Sequence, residues 1–321
     1  MRFAFVMDPI ERILPDKDTT FMFMLEAGAR GHEVYYLRIS DMWLADAVPH
    51  ARVRRAAVMR PTAAHPSHYQ LQEEHETRLD WFDVVFMRKD PPFDMTFFFA
   101  THLLSRIDPT GTLVINDPRG LREANEKLYA LNFPDVIPPS LVAADIERLK
   151  AFMEAQGGEM IVKPLDGAGG AGVFHVRRGD RNLNAILEVA TDGGRRLLMA
   201  QRYVPEIRRG DKRIVVLDGN PLGAVLRVPR EDETRGNIHV GGATVQAPLS
   251  ARDRAICARL APRLRADGLW FVGLDVIGDW LTEVNVTSPT GIQEINALDG
   301  VALERQVIDF VERRVAALRA A

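Results

Sequence analysis

The segment Met160-Ile161-Val162-Lys163-Pro164-Leu165-Asp166-Gly167-Ala168-Gly169-Gly170-Ala171-Gly172-Val173-Phe174-His175-Val176 runs apolar, then glycine-rich, then apolar again. It holds a G-x-G-x-x-G spacing at Gly167, Gly169 and Gly172, which taken alone suggests a dinucleotide site. Such a site needs a strand followed by a helix whose N-terminus faces the pyrophosphate. Here the β-branched and apolar residues Val173 to Val176 follow the glycines, so the loop joins two strands. A glycine-rich hairpin can still close over phosphates, because backbone N–H groups approach an anion closely where no Cβ intervenes. The Gly-Lys-Ser/Thr of a P-loop is missing. Lys163 on the incoming strand and Lys127 in Asn125-Glu126-Lys127-Leu128 are candidate phosphate cations. The competing reading is a tight turn beside solvated lysines.

Further along, Phe271 to Ile277 and Leu281 to Val286 read as the strands of a second hairpin around Gly278-Asp279-Trp280. Period-two alternation puts Glu283 and Asn285 on one face. Asp275 is expected there only if the turn has an odd number of residues, as Gly278 to Trp280 gives; a two-residue Gly-Asp turn throws it to the opposite side. Two carboxylates and an amide oxygen are hard ligands of the kind Mg²⁺ takes. Acids within apolar strands are costly without a cation or a partner, so pairing with arginines or lysines is the alternative.

The rest of the chain frames these motifs. Phe3 to Met7, a helix capped by Asp18-Thr19-Thr20 and ending at Gly31, and Val34 to Arg38 form a β-α-β opening. Val84 to Met87, a helix about Phe97 to Ile107, and Thr112 to Ile115 extend it as a doubly wound parallel layer. The stretch from Pro49 to Arg78 is expected to be an irregular connection. A helix, Leu121 to Leu131, and the prolines after it mark a transition, giving units 1–122, 123–200 and 201–321. In the last unit, strands at Arg213 to Leu217 and Gly223 to Arg227 lead into a charged loop, Val228 to Gly242, expected to act as a lid. Ser250 and Asp253 form a capping box opening a helix to about Ala266.

With 41 basic against 44 acidic residues among 321, nothing points to nucleic acid. No apolar run approaches a membrane span and the start does not read as a signal peptide, so a cytoplasmic protein is expected. The single cysteine, Cys257, reads as an apolar filler, and His65, His68 and His75 do not form a metal pattern.

Met87-Arg88-Lys89-Asp90-Pro91-Pro92-Phe93-Asp94, Asn125 to Leu128, Lys163 to Gly167, Gly210-Asp211-Lys212-Arg213, Glu233-Thr234-Arg235-Gly236-Asn237 and Leu281 to Thr290, in this order, resemble the prokaryotic glutathione synthetase family of the ATP-grasp superfamily. The glycine loop and the Asp/Glu/Asn trio alone mark only the superfamily, which includes D-alanine–D-alanine ligases and peptide-tagging ligases. The resemblance implies an ATP-grasp fold, α/β and α+β, preceded by an N-terminal doubly wound domain. It implies ligation of γ-glutamylcysteine to glycine through an acyl phosphate, driven by ATP with Mg²⁺, or Mn²⁺ in its place, in a homotetramer. Rivals are a ligase of the same fold with another acid or amine, and a nucleotide-binding protein without turnover.

Mapped by motif, Lys127, Lys163, Asp166, Gly167, Gly169, Gly170, Gly172 and Asp211 would bind ATP, with Gln201, Tyr203 and Val204 around the adenine. Asp275, Glu283 and Asn285 would hold the metal. Arg213 and Arg235 would stabilise the transferred phosphoryl group, and Arg88, Arg227, Ser288 and Thr290 would position peptide or glycine.

Overall fold

The computed structural model describes residues 1–229 and 243–320. In the N-terminal third, β1 (Arg2–Val6), α1 (Thr19–Ala29), β2 (Glu33–Leu37), β3 (Met42–Ala45), β4 (Val48–Val58), β5 (Tyr69–Arg78), β6 (Val84–Met87), α2 (Met95–Leu104), β7 (Leu113–Ile115) and α3 (Pro118–Glu123) follow one another. The strands β2, β1, β6 and β7 lie side by side and parallel. Both faces of this layer are buried, which is why its strands are continuously apolar. Phe3 and Phe5 pack on the α1 side, whereas Ala4 and Val6 pack on the α2 side.

The expected irregular connection at 49–78 is instead a long antiparallel ribbon, β4 with β5, added to the edge of the parallel layer. Its sequence lacks an apolar run because only Pro49, Ala51, Val53 and Ala56 are buried and the other face is solvated. Arg52 and Arg54 on β4 stand near Glu74 on β5, so charge pairing covers that wet face.

The expected helix from Leu121 to Leu131 also stops early, at Glu123. Asn125 interrupts it: its side-chain oxygen accepts from the N–H groups of Lys127 and Leu128, and its amide donates to Leu165 O. That local turn competes with the helical ladder and turns Glu126 and Lys127 toward the rest of the molecule.

A second sheet, order β10-β9-β11-β8, contains β8 (Ser140–Ala143), β9 (Glu159–Pro164), β10 (Phe174–Arg177) and β11 (Leu198–Arg202), with α4 (Ile146–Ala155) and α5 (Leu183–Ala190) beside it. A third, order β14-β13-β12-β15-β16, contains β12 (Asp211–Leu217), β13 (Asn220–Val228), β14 (Ala243–Gln246), β15 (Phe271–Ile277) and β16 (Trp280–Asn285). The capping box is formed, Ser250 and Asp253 each bonding the other's backbone at the start of α6 (Ala251–Ala266). After α7 (Ile292–Asp299), the last helix, α8 (Leu303–Ala320), returns to the first sheet. There Val307, Ile308 and Val311 join the core of Phe3 and Phe5, and Arg30 bonds Asp309 and Glu312. Buried Asn116 locks the first layer to the third sheet by bonding the backbone of Phe271 and Val286.

Candidate active site

The glycine loop joins β9 and β10 as an antiparallel hairpin, with Phe174 opposite Val162. Gly169, Gly170 and Gly172 have φ of +62°, +81° and +71°, a region other residues rarely enter. A Cβ on Gly172 would also stand 2.7 Å from Pro164 Cγ. The strand pairing thus rules out the helix that a dinucleotide fold requires.

Beneath the loop lies a cavity lined by Lys127, Lys163, Gly167, Gly169, Gly170, Gln201, Tyr203, Val204, Asp211, Asp275 and Glu283. Lys163 Nζ donates to Gln201 Oε1 at 2.9 Å, and Gln201 donates onward to Ser140 Oγ at 2.9 Å. Burial pushes the Lys163 ammonium below the usual lysine range; the Glu283 charge opposes that and Lys127 adds to it. Lys127 Nζ donates to Gly167 O at 2.5 Å and lies 3.1 Å from Glu283 Oε1. Two ammonium groups from separate segments therefore converge under the loop. Gly172 and Asp166 do not line this cavity; Asp166 faces a neighbouring cleft with Asn125 and Glu126.

The acidic trio is brought together, but not by the turn expected. Ile277 pairs with Trp280, so the turn is the two-residue Gly278-Asp279, with Gly278 at φ +57°. Asp275 nevertheless pairs with Glu283, while Val276 pairs with Leu281. Thr282 is the extra residue of a β-bulge, and one inserted residue reverses the sidedness of everything beyond it. An even turn plus a bulge gives the result of an odd turn, so the condition that the turn be odd is corrected.

Across the sheet, Arg213 on β12, Asp275 on β15 and Glu283 on β16 form one row of directly opposed residues. Arg213 grips Asp275 at 2.6 and 3.2 Å, and Arg227 reaches it at 3.1 Å while holding Asp211 at 2.5 and 2.7 Å. Burial alone would raise the Asp275 carboxyl, but these guanidinium charges and hydrogen bonds outweigh it and hold it well below the usual range. For Asp211 burial prevails over Arg227 and its carboxyl is raised. Pairing with arginines, the alternative to a metal, is thus realised at Asp275. Glu283 is more open, and Asn285 donates to Asp275 Oδ2 and Gly273 O, both at 3.2 Å, with no protein partner to its own oxygen among the described residues.

A second cavity adjoins the first and is lined by Arg213, Arg227, Asn285, Ser288, Thr290 and, again, Gly169, Asp275 and Glu283. Arg88 is not on its wall. It is buried between the rings of Phe23 and Phe271, donating to Thr20 Oγ1 and Pro289 O, both at 3.0 Å. Burial pulls its guanidinium down to about 10. Arg230 and Arg235, like the expected lid apart from Val228 and Pro229, lie outside the described residues.

Glu126 stands out only in three dimensions. One carboxylate oxygen accepts from Val286 N at 3.1 Å, Thr287 N at 3.3 Å and Thr287 Oγ1 at 3.0 Å. Burial, reinforced by the Glu283 charge, raises its carboxyl despite these donors. Its place beside Lys127 was visible in the motif; its partner, far away in sequence, was not.

Family comparison matches residues 1–122 to the prokaryotic glutathione synthetase N-terminal domain and residues 126–300 to the ATP-grasp domain of the same family. Glutathione synthetase of Gloeobacter violaceus is 46% identical over 319 residues, covering 97% of this chain and 96% of that protein. That of Salmonella typhimurium is 45% identical over 317 residues, covering 98% and 99%. Among solved structures, D-cycloserine synthetase DcsG aligns with a TM-score of 0.65 at 18% identity, over 99% of this chain and 100% of that one. The ATP-grasp ligase PsnB, complexed with minimal precursor, Mg and ADP, aligns with a TM-score of 0.62 at 15% identity, over 98% of each. At these identities the structural likeness is one of fold.

Proposed function

Because the chain belongs to the prokaryotic glutathione synthetase family, we propose how its two adjoining cavities carry out that family's reaction. The activity is glutathione synthesis by an ATP-dependent ligase. In the proposed sequence, ATP gives its γ-phosphoryl group to the cysteinyl carboxylate of γ-glutamylcysteine and leaves as ADP. The free amine of glycine then attacks the acyl carbon, expels phosphate, and loses a proton as the amide forms. The protein's task is positioning and charge neutralisation; no nucleophilic side chain is needed.

The observation that carries this reading is that Gly169, Asp275 and Glu283 line both cavities. A nucleotide whose phosphates lie between Lys127 and Lys163 would end at the wall that the second cavity shares. The backbone of Gly167, Gly169 and Gly170 would close over those phosphates, with Gly172 and Asp166 behind the loop and Asp211 on the cavity wall. Gln201, Tyr203 and Val204 would surround the base. Arg213 would face the transferred phosphoryl group, and Arg235 keeps the same role by resemblance. Arg227, Ser288 and Thr290 would position peptide or glycine, with Arg88 acting from behind through Pro289.

Asp275, Glu283 and Asn285 fit a magnesium ion by donor chemistry: hard oxygens on one face, with Glu283 and the Asn285 oxygen the more available. The ion would neutralise phosphate charge, and manganese, which shares the preference for oxygen, would stand in for it. The division of labour follows units 1–122, 123–200 and 201–321. A cytoplasmic homotetramer completes the reading, and sedimentation equilibrium tests its size.

Incubation with ATP, Mg²⁺, glycine and γ-glutamylcysteine labelled with heavy oxygen in the cysteinyl carboxylate tests the chemistry. Label must appear in the released phosphate. Glutathione formed without label transfer would refute the acyl phosphate, and turnover only with other acids would refute the substrate assignment.

A further inference from the structure

We propose that His175 is a positioning residue for nucleotide recognition: its imidazole backs the ring of Tyr203, so that the base of ATP meets an aromatic wall already held in place. The inference rests on the reading of the Lys127–Tyr203 cavity as the nucleotide site.

The two rings lie face to face, with centroids 3.9 Å apart and planes within 13°, the closest ring contact among the described residues. Tyr203 lines the cavity and His175 does not, so the imidazole supports the tyrosine from outside the space a ligand would fill. Strand alternation explains its direction. Val176 enters the core formed with Leu149, Met160 and Leu187, and His175, one residue earlier, must turn to the opposite face of the sheet. There its side chain is only 7% exposed, although it joins no apolar cluster.

Its orientation is fixed from a third direction. His175 Nε2 lies 2.9 Å from Glu159 Oε2, and Arg177 Nε lies 3.4 Å from the same oxygen. The short contact assigns the imidazole proton to Nε2, donated to the carboxylate. Burial pushes the imidazole below its usual range, against the pull of Glu159, and the ring lies flat on the phenol. The chain Arg177, Glu159, His175, Tyr203 thus runs from the solvent-facing edge of the sheet to the cavity wall.

The physical consequence lies in the free enzyme. A tyrosine at a cavity rim samples rotamers, and each rotamer lost on binding weakens the complex. A ring already stacked has lost that freedom beforehand. Aromatic pairs contribute enough beyond their buried area to correspond to about three- to tenfold in affinity. The effect belongs to ATP alone, because neither His175 nor Tyr203 lines the second cavity.

Steady-state kinetics with ATP varied, together with calorimetric binding of ADP, test this on His175→Ala, His175→Leu and His175→Phe, with Tyr203→Ala as reference. The expected result is a rise of about three- to tenfold in the KM for ATP and the Kd for ADP for the alanine and leucine variants. Values of kcat and of the KM for γ-glutamylcysteine stay within about twofold, and phenylalanine restores nucleotide affinity. Leucine fills the volume without a stacking face, so wild-type behaviour of His175→Leu would reduce the residue to filler and overturn the proposal. So would a rise confined to Tyr203→Ala. If Tyr203→Ala also leaves ATP unaffected, the nucleotide-site reading itself fails and the inference falls with it.

Discussion

Arg213 and Asp275 stand directly opposite each other on β12 and β15, with the guanidinium Nε 2.6 Å from the carboxylate Oδ1 and both side chains buried. Arg227 shares the same carboxylate at 3.1 Å. Replacing Asp275 by Asn would leave buried Arg213 without its counter-charge and Arg227 with Asp211 alone. The expected loss is about 3–5 kcal/mol of unfolding free energy, read by urea denaturation in EDTA. A loss below about 1 kcal/mol would mean that the arginines find other partners.

The same pair sets an acid limit. The Asp275 carboxyl titrates below its unfolded value in the folded protein, so its contribution to stability is full above the unfolded pKa of about 4. That contribution drains away as pH falls from there toward the folded pKa. Wild-type stability should therefore fall more steeply below about pH 4 than that of Asp275→Asn. Parallel curves would refute the assignment.

Glu283 is the open member of the row, paired among the described residues with Lys127 at 3.1 Å. Glu283→Gln keeps its shape and removes its charge. The apparent Mg²⁺ requirement should rise on the order of 10–100-fold, followed by titrating Mg²⁺ at saturating ATP. Full activity at limiting Mg²⁺ would count against the metal assignment.

Burial lowers the Lys163 pKa, so its positive charge disappears as pH rises through that value, sooner than for an exposed lysine. The KM for ATP should climb on the alkaline side accordingly. Lys163→Arg, which stays charged, should flatten that climb even if its KM is poorer throughout. An identical alkaline limb in both proteins would exonerate Lys163.

Thr282, the extra residue of the bulge, offers a test of register. Deleting it straightens the strand while the two-residue turn keeps Asp275 opposite Glu283, so kcat/KM should stay within about tenfold of wild type. Deleting Val284 instead turns Asn285 away from Asp275 and should lower kcat/KM by at least about 100-fold. Equal losses in the two chains, with both folded by circular dichroism, would dismiss the register argument.

Much of this architecture is legible in short windows. The hairpin nature of the glycine loop follows from what comes after Gly172, and the cap of α1 and the capping box of α6 follow from residues three apart. The ribbon of β4 and β5 is not legible in that way, because an edge pair with one wet face needs no apolar run and is held by its backbone ladder, with Arg52, Arg54 and Glu74 only facing one another across the strands. Nor is the early stop at Glu123, where one Asn125 side chain outcompetes a helical pattern.

By itself, the sequence determined which residues are candidates for the chemistry and which local elements present them, since residue type, period and capping act within a few positions. Only the tertiary structure decided their partners. Asp275 is gripped by Arg213 and Arg227, Glu126 ties down Thr287, Arg88 bonds the Pro289 carbonyl, and α8 closes the first sheet. These are contacts between residues far apart in the chain, chosen by sheet register and packing of the whole. A single residue, Thr282, changes that register without any strong local signal.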